Sequence, residues 1–400
     1  MNTFALYLFA FSFGAFFIPI ICKVIKIPSI VGEIIYGFTL QLFLPATAES
    51  LNLIDFLSTM GFIFLMFLAG MEINFDHLKK KMILFSITIL SLLFTIAYLY
   101  LSYLEPEASL YKVIIITASS VGITFIALKT SGQEKTPLGQ NIIMVVSMGE
   151  LISIISMIIF EISHQAGGSE IFPLIKKIAG LGLIILGAYL LIRIILFFFW
   201  WYPNSIAQLT ESDDISELNV RLAFLILMTM VALSAWFHIE IILGAFLGGL
   251  MLSFVFRDKR NLENKLASIG HGFFIPFFFI QIGWEFHIEL ASIKELLKDS
   301  LILFLIILFL RIVVSPLFLL LVEKGKRLQY IPNLIAISFI LAAPFTLLVA
   351  IGKLGLEINL LDSYNYQKII ITAMMGSLIG PIMYNLLLKR EGEALVDTKN

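Results

Sequence analysis

Apolar side chains run along this chain in long blocks, separated by short stretches where the charges collect. The blocks fall at roughly 3–22, 28–45, 54–72, 82–103, 109–129, 138–163, 171–201, 219–238, 239–256, 266–284, 299–322, 329–354 and 366–388, thirteen in all. Most approach the ~20 residues that a helix needs to cross a hydrocarbon layer of about 30 Å. Lipid offers no partner to a backbone N–H or C=O, so each block folds as a helix that bonds within itself. A β-barrel would instead show short segments of alternating polarity. The pattern predicts an all-α polytopic membrane protein with about 13 transmembrane helices.

Composition agrees. Of 400 residues, 60% are hydrophobic and 14% charged, against about 45–50% and about 25% in a soluble domain. The net charge of −1 implies no polyanion, so no nucleic-acid partner is expected. The single cysteine, Cys22, excludes an intrachain disulfide and a cysteine-based metal site. The first block, Thr3 to Cys22, lacks a basic n-region and a small-residue cleavage site, so it reads as a retained helix. No H-E-x-x-H, P-loop or G-x-G-x-x-G occurs, and the five histidines are scattered. A cofactor-free protein that is not an enzyme is expected.

Basic residues alternate with the blocks. One set of connections and flanks, which includes Lys79, Lys80, Lys81, Arg257 and Lys259, holds eighteen, and the other holds seven. The positive-inside rule puts the first set in the cytoplasm, with the N-terminus outside and the C-terminus inside. The expected location is a cell (inner) membrane. The chain reads as one transmembrane transporter domain over 1–400. Repeat one covers about 1–163, a connecting helix 171–201, a cytoplasmic linker 202–218 and repeat two about 219–388, with a short cytoplasmic tail at 389–400. Six spans on each side of a joining seventh make the two repeats inverted.

Polar groups at mid-depth carry the chemistry. Glu150 lies near the middle of "MVVSMGELISIISMIIF". A carboxylate there costs about 2.5–3.5 kcal/mol to insert, and such groups are functional by default. Desolvation disfavours its charged form, so it stays neutral until water or a cation arrives. It can then trade a proton for a cation. Ser147 and Ser153 share its helical face, as ion ligands or as bonds to their own backbone. Arg311 sits mid-span and cannot deprotonate, so it must face a cavity or a carboxylate, and Pro316 beyond it should kink the helix. Thr117, Ser119, Ser120 and Gly122 interrupt the β-branched run "IIITASSVGITF", and Pro344 and Thr346 interrupt "ISFILAAPFTLLVAIG". Two interrupted segments at matching positions of two halves point to a binding site at broken helices, with helix ends holding ions. A packing notch of small residues is the other reading. "GAFLGG", Gly244 to Gly249, reads as close helix packing. Glu33 reads as a structural or mouth residue, Gln281 as a weaker polar group, and His238 and Glu240 as solvated rim residues.

Several stretches resemble the monovalent cation:proton antiporter-2 family, the bacterial sodium/proton or potassium/proton exchangers. They are "IPSIVGEIIYG", "GFIFLMFLAGMEINFDHLKK", "LGQNIIMVVSMGEL", "GAFLGGLML" and "GFFIPFFFIQIGWEF". The resemblance spans nearly the whole chain. It implies inverted repeats with two crossed broken helices, and a dimerisation panel plus a mobile core in a homodimer. The family's second acidic position falls on Glu150 and its first on Gly149, while its basic residue of the eleventh span falls on Arg311. The Arg-Gly pair of many relatives is replaced by Ala343-Pro344. The family's common C-terminal nucleotide-binding domain is expected to be missing.

The resemblance implies exchange of sodium or potassium for protons by alternating access. With one carboxylate at mid-depth, the cycle is expected to be electroneutral. The expected site comprises Glu150, Ser119, Ser120, Thr117 and Ser147 for the cation or proton, Arg311 as charge partner, and Ala343 and Pro344 at the second break. Beyond the transported monovalent cation, no metal is expected. A non-transporting sensor or regulatory subunit on the same fold is the alternative. A symporter of organic anions is a third reading, with Arg311 as its one candidate for a cationic pocket.

Overall fold

A computed structural model describes residues 3–25, 27–44, 48–72, 80–104, 110–133, 136–165, 217–237, 241–255, 260–286, 293–321 and 327–388, with scattered positions between 182 and 201. Most of the expected connecting helix lies outside the described residues. So do linker residues 202–216, the tail 389–400, His238 and Glu240.

All the regular elements among the described residues are helical, as the long apolar blocks require. Among the described residues, nine helices are long and apolar enough to cross a membrane, and three shorter apolar ones accompany them. The chain divides into two compact units, Met1–Asp76 with Ile162–His287, and His77–Glu161 with Ile288–Asn400.

The first unit contains α1 (Thr3–Ile25), α2 (Ser29–Phe43), α3 (Ala48–Glu72), α8 (Leu218–Trp236), α9 (Ile241–Val255), α10 (Arg260–Ile269) and α11 (Ile275–Trp284). Here α3 packs on α9 and α2 on α11. Small residues allow the backbones to touch: a Cβ at Gly249 would collide with the carbonyl of Phe67. Helix association in lipid is driven by such close packing rather than by hydrophobic burial. Phe62 stacks on Phe278 at 4.6 Å, and Phe11 meets Trp284 edge-on at 5.6 Å. Between α10 and α11 lies one π-helical turn, Gly270–Phe274. Pro276 cannot donate to a carbonyl four residues back, and a one-residue slip in bonding absorbs that gap. Gln281 is a bridge rather than a lone polar group: its Nε2 donates to Asp55 Oδ1 at 2.6 Å and to Glu285 Oε1 at 3.0 Å. Glu33 is 3% exposed on α2 of this unit.

The second unit contains α4 (Lys80–Leu104), α5 (Leu110–Thr117), α6 (Val121–Thr130), α7 (Pro137–Gln165), α12 (Ile293–Val314), α13 (Arg327–Leu341), α14 (Phe345–Glu357) and α15 (Ser363–Leu387). The same pattern occurs twice: a continuous helix, an interrupted pair, another continuous helix. The interrupted pairs are α5/α6 and α13/α14. Their breaks fall at Ala118–Ser120 and Ala342–Pro344. Beyond Arg311 the chain tightens into a 3-10 helix, Ser315–Leu321. Pro316 is thus accommodated by a change of helix type. Asp362 caps α15 by accepting from Asn365 N at 2.9 Å, which satisfies one of its orphan donors.

Candidate functional site

The two interrupted helices run past each other in opposite senses. Tyr111 on α5 donates to the carbonyl of Ile351 on α14, and α6 packs on α13. The breaks meet where the hydroxyls of Ser120 and Thr346 share a hydrogen bond. In the sequence Thr346 is only part of the second interruption, because its partner is 226 residues away.

Breaking a helix leaves carbonyls unpaired at one end and N–H groups unpaired at the other. The partial charges there amount to about half an electron of each sign. At the first break both ends face full charges. Arg311, 4% exposed on α12, donates from Nη2 to Thr117 O at 2.9 Å and also to Ala118 O. The guanidinium therefore covers the negative C-terminal end of α5. Glu150, 1% exposed on α7, accepts from Val121 N through Oε2 at 2.9 Å. Its carboxylate therefore faces the positive N-terminal end of α6. A buried charge needs such partners, because desolvation alone would oppose it.

The expected hydroxyls lie around this pair. Ser119 and Ser120 occupy the break itself, 3% and 2% exposed. Thr117 closes α5, and its hydroxyl donates back to Val113 O at 2.9 Å, so its carbonyl rather than its side chain meets Arg311. Ser147 is buried one turn before Glu150 on α7. Ser153 is buried one turn after it and lines a cavity of about 320 Å³ with Gly149, Thr117 and Ser91. That volume has room for several waters.

Gly149 has a steric cause. A Cβ at this position would lie 2.9 Å from Ser119 Cβ and 3.1 Å from Leu90 Cδ2. Ser119 fills the space that a side chain at 149 would need, and no second carboxylate fits beside Glu150 without moving the break.

The second break is built differently. Ala342 N bonds to Ser338 O at 3.0 Å, and Phe345 N to Ala343 O at 2.9 Å. Pro344 has no N–H to satisfy. Among the described residues, no charged side chain bonds to Ala342, Ala343 or Pro344.

Two crossed, interrupted helices around a deeply buried carboxylate are an arrangement that suits ion binding at mid-membrane depth. The chain belongs to the sodium/hydrogen exchanger transmembrane family, whose profile matches residues 12–390. It is 28% identical to a putative Na(+)/H(+) antiporter of Bacillus subtilis, covering 94% of this chain and 62% of that one. This chain thus spans less than two thirds of that relative's length. It is 24% identical to a Na(+)/H(+) antiporter of Enterococcus hirae, over 91% of this chain and 92% of the relative. Its fold matches that of a sodium proton antiporter from Methanocaldococcus jannaschii with a TM-score of 0.59. That match has 15% identity and covers 96% of this chain and 100% of that one.

Proposed function

We propose that this protein exchanges a monovalent cation for protons by alternating access, with Glu150 as the group that binds each in turn. The observation that carries this reading is the buried Glu150 carboxylate at the N-terminal end of α6, 2.9 Å from Val121 N. Protonated, the group is neutral and suited to its 1% exposure. Deprotonated, it has an N–H donor and a helix dipole to stabilise it, and a cation can neutralise it. Ser119, Ser120 and Ser147 supply further hard oxygens, together with carbonyls at the ends of the broken helices. Arg311 acts as a positioning residue that holds the end of α5 and so keeps the break open.

Relatives named for sodium/proton exchange favour sodium as the cation, with potassium as the second choice. One carboxylate and a sterically enforced Gly149 favour one-for-one exchange. We place the protein as a homodimer in a cell inner membrane, with the N-terminus outside and the C-terminus in the cytoplasm. The basic asymmetry of the connections supports that orientation. A sensor that no longer transports has less in its favour, because it has no need of a carboxylate at the helix end.

Everted vesicles with an imposed pH gradient test the proposal. Sodium added to vesicles carrying the wild-type protein is expected to dissipate the gradient, and Glu150→Gln is expected to leave it standing. Silence of the wild-type protein toward sodium and potassium across pH, or wild-type exchange by Glu150→Gln, would refute it.

A further inference from the structure

We infer that the cavity beside Glu150 holds a chain of waters through which protons reach and leave that carboxylate, on a route separate from the cation's. The inference rests on the exchange proposed above for Glu150. The cavity measures about 320 Å³ and lies within the second unit, between α4, α5 and α7. It has room for on the order of ten waters at about 30 Å³ each. Two residues of its wall flank the carboxylate along α7: Gly149 directly precedes Glu150, and Ser153 follows it by one turn.

The lining suits water. Hydroxyls come from Ser91, Thr95, Thr117, Ser153 and Ser156. Ser153 is 6% exposed, and neither its hydroxyl nor that of Ser156 bonds to any described residue. A buried hydroxyl left without a partner is costly, and water in the cavity supplies one. Thr95 and Thr117 donate to Ser91 O at 2.8 Å and to Val113 O at 2.9 Å, so they offer lone pairs to a water. At the rim, Ser91 and Thr95 are exposed on α4. Two exposed hydroxyls are poor neighbours for acyl chains and good ones for water.

The same lining does not suit a sodium ion. No charged side chain stands in the wall, and Leu90, Leu93, Phe94, Ile114 and Ile152 fill the space between the hydroxyls. A cation entering would lose hydration with no counter-charge to replace it. A proton avoids that cost, because it moves by exchange along hydrogen bonds. Ser153 lies three residues from Glu150 on the same helical face, and a hydroxyl has both a donor and lone pairs to use. On release, the Glu150 proton passes to the oxygen of Ser153 or of a water beside it. Ser153 gives its own proton to the next water, and the excess proton leaves along the chain as hydronium. Uptake runs through the same steps in reverse.

Two measurements on the full chain in proteoliposomes test this. The first asks whether the cavity is wet. Cys22 is the one cysteine, so Ser156→Cys and Ile155→Cys are each made in a Cys22→Ala background. Ile155 is the neighbour of Ser156 and is 45% exposed, outside the cavity wall. Methyl methanethiosulfonate enters lipid and water alike and reacts with the thiolate, which an apolar setting suppresses. Ser156→Cys is expected to react about tenfold faster than Ile155→Cys or more, in keeping with that suppression. The second measurement compares sodium/proton exchange with exchange of labelled for unlabelled sodium, which needs no proton. Ser156→Leu and Thr95→Leu displace water from two different walls. Each is expected to slow sodium/proton exchange about tenfold or more, the scale of a lost proton-transfer path, with sodium/sodium exchange close to wild type. Ser156→Thr keeps the hydroxyl and is expected to keep both modes. Either leucine variant decides the matter if the other fails to fold. Equal labelling of the two cysteines, equal loss of both modes, or an unchanged sodium/proton rate would overturn the inference. A wild type with neither mode would refute the proposed function and this inference with it, whereas a wild type with both modes and no split in the leucine variants would refute the inference alone.

Discussion

The two helix breaks of the second unit solve one physical problem in different ways. At Ala118–Ser120 the unpaired backbone ends face a guanidinium and a carboxylate, Arg311 on one side and Glu150 on the other. At Ala342–Pro344 the ends are closed by short local bonds and by a proline with no N–H to satisfy. Both devices hold an irregular backbone within a buried region, as a membrane protein must. Only the first contains a group that can gain and lose a proton. On the proposed function the chemistry belongs to the first break and the second has a structural part, joined to the first through the Ser120–Thr346 hydroxyl pair.

Removing the titrating group should have the largest effect. Glu150→Gln keeps the shape and can still accept from Val121 N, yet it can neither release a proton nor neutralise a cation. Exchange in proteoliposomes is expected to fall at least a hundredfold, with the unfolding midpoint within a few degrees of wild type. Glu150→Asp should retain part of the exchange with a changed cation affinity.

Removing the guanidinium comes next. Arg311→Met leaves the carbonyls of Thr117 and Ala118 buried without their donors, at about 1–3 kcal/mol each. Both stability and exchange are expected to drop, and Arg311→Lys to recover part of each. If Arg311→Met exchanged at the wild-type rate with an unchanged midpoint, the guanidinium would not be holding the break.

The Gly149 position offers a sharper test of the same geometry. Gly149→Ala forces a methyl against Ser119, and overpacking of this kind costs about 1–3 kcal/mol. Ser119→Gly should relieve most of that cost, so the double variant is expected to be more stable than the sum of the two singles predicts. Simple additivity would separate Gly149 from the break.

The smallest effect belongs to the bridge between the breaks. Thr346→Val removes one hydroxyl and should cost about 1 kcal/mol, the usual net value of such a bond. A shift in cation affinity of about tenfold or more would instead give the second break a direct share in binding.

How much of this the sequence carries depends on the range of the interaction involved. The spans are legible because lipid imposes long apolar blocks, and the first break because Ser119 and Ser120 interrupt a β-branched run. Pro344 marks the second break for a similar local reason. The role of Gly149 was not legible, since it depends on Ser119 approaching from the first break, thirty residues earlier. Arg311 was visible as a mid-span charge in need of a partner. That its partners are the carbonyls of Thr117 and Ala118 where α5 ends, more than 190 residues away, emerges only from packing. The same holds for Gln281, whose bond to Asp55 spans 226 residues. At Pro316, where a kink is expected, the chain passes into a 3-10 helix, which is one local way to accommodate a proline.

The central claim is that Glu150 is the one group that titrates in the cycle. Exchange one-for-one with a monovalent cation then moves no net charge. A second titrating group, such as Glu33, would couple the cycle to the membrane potential by about 2.3 kcal/mol per 100 mV for each charge moved. The direct measurement is sodium-driven proton movement in proteoliposomes, with and without a potassium diffusion potential of known sign. The account predicts the same rate and the same reversal point in both conditions. A reversal point that follows the imposed potential would contradict it.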